Sequence, residues 1–181
     1  MRKKSNARIK YDPSTGLYLA DGKSYSFSMQ EENGKNLGIV YSVVLEDNET
    51  GQKVLRFYPF RYGKDSSGNY MIREQFETED YDGQIVRPVM SEKLGPWEGT
   101  RGQNAFMAIV HYFWTGNAKE IVANPMNRKL YKHYSKLGFE EIPANKMIGN
   151  EGNKIYMRLN LEELTREYFK EFEDLSELYL A

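Results

Sequence analysis

Cysteine is absent from this 181-residue chain, and histidine occurs only as His111 and His133. Without thiols there can be no disulfide, thiolate metal site or cysteine nucleophile, and a zinc site would need carboxylates beside the two imidazoles. Long apolar runs are missing too. Nothing approaches the roughly 18 consecutive apolar residues of a membrane span, and the basic start is followed by no apolar segment of a secretory signal. The expectation is a soluble, cytoplasmic protein with no membrane partner. An excess of one charge is also lacking. Formal net charge is −1 and the pI is about 6.2, a balance that favours neither nucleic acid nor an anionic surface as partner.

The charge is nonetheless uneven. Arg2, Lys3, Lys4, Arg8 and Lys10 carry the first ten residues without an acid, and residues 161–181 set seven acids against Arg166 and Lys170. The ends attract each other, or other copies. Hydrophobic residues make up 40% of the chain and aromatic ones 14%, enough for one substantial core and hence one domain.

Residues 1–16 are polar, basic and turn-rich and read as a flexible arm. Asp21-Gly22 then separates two extended runs, a hairpin signal. "EENGKN" reads as a breaker before "LGIVYSVVLE", "DNETG" as a turn, and "QKVLRFYPFRY" as the returning strand, with Pro59 marking an edge or a bulge. "NYMIREQFE" and "DGQIVRPVM" supply further strands, and links this short make the first half an antiparallel meander. After a Gly- and Pro-rich loop, "QNAFMAIVHYFW" is apolar on nearly every side and predicts a buried helix ended by Gly116. Within it His111 reads as a hydrogen-bonded core histidine. A short strand "AKEIVAN", a helix over 127–136 and a final strand "KIYMRLNL" imply a parallel pair inside the sheet. From Asn160 an N-cap opens a last amphipathic helix whose apolar stripe packs on this domain or on a second copy in a homodimer.

The stretch "NPMNRKLYKHYSKLGF" (124–139) carries the most specific pattern. Leu130, Tyr134 and Leu137 share one helical face, with Arg128, Lys129, Lys132 and Lys136 largely on the other. Asn127 suits the N-cap, Gly138 the left-handed position past the end, and Phe139 the hydrophobic contact that closes such a cap. His133 reads as exposed. The basic arm and the basic face of this helix are the one route to a nucleic-acid contact, an unlikely partner for a chain of this balance.

The spacing of Asn127, Leu130, Tyr134, Lys136 and Gly138-Phe139 resembles a signature of the GCN5-related N-acetyltransferase family, with Leu130 where that family usually has Ala; the likeness covers about residues 97–160. It implies an α+β fold: a mixed, mostly antiparallel sheet with a parallel pair and a splayed cofactor gap, plus here the extra C-terminal helix. It further implies acetyl-coenzyme A as cofactor and direct transfer of the acetyl group to an amine, on a protein or a small molecule. Tyr134 matches the tyrosine that gives a proton to the leaving thiolate, and a strand backbone N–H stabilises the oxyanion. Asn127, with Asn124 as a weaker neighbour, matches cofactor contacts. Arg101, Gly102, Gln103 and Asn104 fall on the loop that cradles the pyrophosphate at a helix start. There Asn104 and Phe106 stand where the family has small residues, and Phe106 either blocks the site or points into the core. "QEENGKNLG" leaves no room for the helix pair usual between the first two strands. Glu74 and Glu77 are candidate general bases, with Glu92 and Glu98 nearer the loop. The departures, the basic arm and the acidic tail also fit a non-catalytic protein used for assembly.

Overall fold

The structure is a computed structural model that describes residues 9–20, 22–36, 38–93, 102–150 and 154–161, with 91–93 and 102–105 described in backbone only. Ten strands run in chain order with two α-helices placed late: β1 (Lys10–Asp12), β2 (Leu17–Ala20), β3 (Lys23–Gly34), β4 (Gly38–Asp47), β5 (Lys53–Lys64), β6 (Tyr70–Gln75), β7 (Ile85–Lys93), α1 (Gly102–Thr115), β8 (Glu120–Ala123), α2 (Arg128–Lys136), β9 (Glu140–Ile142) and β10 (Tyr156–Asn160). They form one sheet in the order β1-β2-β3-β4-β5-β7-β8-β10-β9, and β6 pairs with β5 beside that path. Among the described strand pairs only β7 and β8 are parallel.

The α+β expectation is corrected by these elements. Strands take 50% of the described residues and helices 17%, so the described protein is mostly β and does not show the several helices of an acyl-CoA N-acyltransferase layout. The reason is local. Every described link between β1 and β7 is a turn or a short loop, and none has length for a helix. The chain is already paired at Lys10, opposite Leu19, inside the stretch read as an arm. Likewise "EENG" does not break the chain: Glu31 and Glu32 stay in β3 opposite Tyr41 and Val40, and the turn falls later, where Asn36 (φ 68°) and Gly38 (φ 74°) adopt left-handed backbone. The predicted C-terminal helix, and any homodimer seam on it, lies outside the described residues beyond its first residue, Leu161. Among the described residues no helix is long and apolar enough to cross a membrane.

Strand β5 divides the sheet. Its first half pairs with β4 up to Phe57, its second half with β6 from Phe60, and β7 lines its other side throughout. Pro59 sits at the changeover. Its carbonyl accepts from Phe76 N–H at 3.0 Å, so its missing N–H is turned to the side where β4 has left and no ladder bond is lost.

Helix α1 covers one face of the sheet. Ala108, Ile109, Val110, His111 and Phe113 are at most 1% exposed, and the core they enter joins β2 through β5 with Ile121, Met157 and Leu159. The opposite face is polar at the β3–β5 end, where Glu32 holds Arg56 (2.8 Å) and Ser42 (3.0 Å) and Lys53 reaches Gln30 (3.1 Å) over a fully buried Val44. At the other end that face carries a smaller core of Tyr62, Tyr70, Val122, Ile142, Met147 and Tyr156. Gly116 ends α1 for packing reasons: a Cβ there would stand 2.9 Å from the Tyr81 ring, while Asn117 (φ 60°) takes the left-handed turn.

His111 is buried as expected, its Nδ1 2.9 Å from the Tyr18 hydroxyl and its ring 4.3 Å from that of Tyr11. Burial drives its pKa from 6.5 down to about 4. Since the unfolded chain binds that proton more readily, this histidine's contribution to stability is complete above pH 6.5 and is lost as pH falls toward 4. A shift of this size corresponds to about 3 kcal/mol. Calorimetry from pH 4.5 to 7.5 should therefore show Tm falling more steeply with acid in the wild type than in His111→Gln; equal slopes would remove the histidine from the account.

Candidate active site

Helix α2 is fixed at both ends by its own sequence. Asn127, in extended backbone, accepts from Leu130 N–H at 2.9 Å and fills one orphan donor of the first turn. At the other end Gly138 (φ 98°) reverses the chain, so that Phe139 N–H reaches Tyr134 O (3.0 Å) and Gly138 N–H reaches Ser135 O (3.1 Å). This paired bonding leaves Phe139 folded back on the helix, its ring 5.3 Å from that of Tyr134.

Tyr134 is thereby held between two rings. Phe106 of α1 lies 4.5 Å from it at 30°, and Phe106 also meets Phe139 at 5.9 Å. Of the two orientations open to Phe106 in the sequence, its ring takes the core one, 7% exposed. Tyr134 itself is 6% exposed, its hydroxyl makes no hydrogen bond among the described residues, and burial pushes its pKa up to about 12. A phenol in this state keeps its proton at neutral pH.

The parallel pair beside the helices is short. β7 and β8 are in register at Ile85↔Glu120 and Val86↔Ile121 and nowhere beyond, although β7 continues to Lys93. Pro88 supplies the reason. It faces Pro59 of β5 across a pair whose Pro59 carbonyl points away from β7, so the two residues exchange no ladder bonds and Pro88 turns its backbone toward β8. It has no N–H to offer there, and the ladder stops. The same alternation, through the Phe57↔Met90 pair, turns the Met90 N–H to that side, where no partner strand lies among the described residues. The sequence reading of "DGQIVRPVM" passed over Pro88, whose position in a strand was the available signal.

The remaining candidates are scattered. Asn124 and Asn127 come together on the wall of a cavity of about 640 Å³ at the end of β8. Arg101 lies outside the described residues; Gly102, Gln103 and Asn104 form the first turn of α1, described in backbone only. Glu74 is an exposed partner of Arg61 (2.9 Å), and Glu77 is exposed just past the end of β6, so both are carboxylates of a solvated surface. Glu92 is on β7, described in backbone only, and Glu98 falls outside the described residues. His133 is half-buried instead of exposed: its Nε2 is sealed without a hydrogen-bond partner, and burial, then Lys136, lowers its pKa.

A buried charge went unnoticed in the sequence. Glu120, 2% exposed at the start of β8, accepts from Tyr70 (2.9 Å) and Lys64 (3.0 Å) and lies 3.6 Å from Arg158. Its partners come from β5, β6 and β10, so no local spacing marks it. No protein-family model matches this chain, and no curated protein matches it significantly.

Because the two ends of α2 place Tyr134, removing either should be felt. Asn127→Ala is expected to cost about 1 kcal/mol, a Tm loss of roughly 2–4 °C at this chain length, and Gly138→Ala at least as much through its positive φ. Thermal melts check both; an unchanged Tm in the two variants would contradict the caps described above.

Proposed function

We propose that this protein transfers an acetyl group from acetyl-coenzyme A to an amine, with Tyr134 as the proton donor. The observation that carries the reading is Tyr134 itself: a protonated phenol, buried between Phe106 and Phe139, with no protein partner for its hydroxyl among the described residues. A hydroxyl that no described protein group engages is free to donate to a partner that arrives with a ligand. The flank of β7 that has no partner strand among the described residues adds support, since a thioester beside it would meet the Met90 N–H where negative charge develops on the carbonyl oxygen.

In the reaction the neutral amine attacks the thioester carbon. A C–N bond forms, the C–S bond breaks, and sulfur leaves with the electron pair and takes the Tyr134 proton. The amine nitrogen then releases its extra proton through water, which restores the phenol. Neither Glu74 nor Glu77 has a role in this scheme. The reading fits a cytoplasmic protein.

Acetyl-coenzyme A at millimolar concentration should raise Tm, and its absence of effect would count against the reading. Tyr134→Phe should lower kcat about 10²- to 10⁴-fold while leaving the Kd for acetyl-coenzyme A within about twofold, the pattern of a group used only in the transition state. Full turnover in that variant would assign the proton transfer elsewhere.

A further inference from the structure

The cavity at the end of β8 is built from the β8–α2 link, α2, β9 and the approach to β10, and none of its lining comes from β7. Its volume, about 640 Å³, is that of a small-molecule site. Two features give it a chemistry. Met126 is 84% exposed and Ile155 44% exposed; these are two of six large exposed hydrophobics among the described residues, and both open into this one space beside Pro125. Isolated exposed apolar groups are ordinary, but two converging on a cavity are a surface that a ligand would cover.

The second feature is charge. Arg128 at the start of α2 and Lys154 ahead of β10 both line the cavity, and both are exposed. Among the described residues the one acid in the lining is Glu141, which accepts the Tyr131 hydroxyl at 2.8 Å and is tied to the wall by that bond. A cationic ligand would meet two like charges, whereas an anionic head finds two donors and an apolar tail finds Pro125, Met126 and Ile155.

We propose that this cavity binds a small aliphatic carboxylate, its head at Arg128 and Lys154 and its chain on Met126 and Ile155, so that Asn124 and Asn127, matched above to cofactor contacts, belong to this site and the thioester lies apart from it on the flank of β7. The inference stands apart from the transferase reading: binding needs no turnover. Octanoate is the probe, titrated by calorimetry into the full chain, with octylamine and acetate as controls for charge and for chain. Octanoate should bind at least tenfold more tightly than either. Arg128→Gln/Lys154→Gln should weaken it at least tenfold, and Met126→Ser/Ile155→Ser should weaken octanoate but not acetate; all four positions are exposed, and melts should confirm unchanged folding. No heat at millimolar octanoate, equal affinity for octylamine, or wild-type affinity in the charge variant would overturn the proposal. Displacement of octanoate by acetyl-coenzyme A would also overturn it, by giving the cavity to the cofactor.

Discussion

The organising constraint of this molecule is that α1 has no polar face. A helix of this kind must be covered on all sides, and the aromatic residues of the sheet do most of the covering. His111 meets Tyr11 and Tyr18 from the first two strands, Tyr112 meets Phe27 (4.7 Å), Phe113 meets Phe57 (5.6 Å) and Tyr81 (4.7 Å), and Phe106 meets Tyr134. One helix thus joins the N-terminal hairpins, the β5–β7 centre and α2. The neutral state of His111 belongs to the same constraint, because an imidazolium there would be a charge without water.

The far side of the sheet obeys a different rule. No helix is described over it, so its β3–β5 end is a lattice of cross-strand polar pairs, in which Arg56 on β5 reaches over β4 to Glu32 on β3. At the other end Glu120 is taken out of water and survives because two cations and a phenol surround it. Such a cluster adds little net stability over an apolar one, yet removing one partner strands the rest, which makes it a device for registering β8 against β5, β6 and β10. It sits at the one place where β7 and β8 are in parallel register.

What the sequence made legible follows from range. The caps of α2, the turn at Gly22, the burial of α1 and the core role of His111 depend on neighbours in sequence or on composition, and they could be read. The class could not, since whether a chain adds helices between hairpins depends on links whose length only the full strand assignment reveals; β3 running on through Glu31 and Glu32 is the case in point. Partners distant in sequence were equally hidden. Glu74 finds Arg61 across a hairpin, Glu120 finds Lys64 and Arg158, and His133 is covered despite its basic neighbours. Pro88 was visible but unread, because its consequence depends on which side of β7 its nitrogen faces.

Tyr134 shows how local and distant constraints meet in one residue. Its carbonyl is engaged by the cap that Gly138 makes possible, so its backbone cannot shift without undoing the end of the helix. Its ring is fixed from one side by Phe139, a neighbour delivered by the same cap, and from the other by Phe106, delivered by α1. Its carbonyl and both faces of its ring are therefore spent on geometry, and only the hydroxyl is left uncommitted among the described residues. A side chain held this firmly has little rotamer freedom left to lose, which is the condition that the proton-donor role proposed for it would need. Phe106 at the start of α1 is part of the mounting of Tyr134, since the same ring meets both Tyr134 and Phe139.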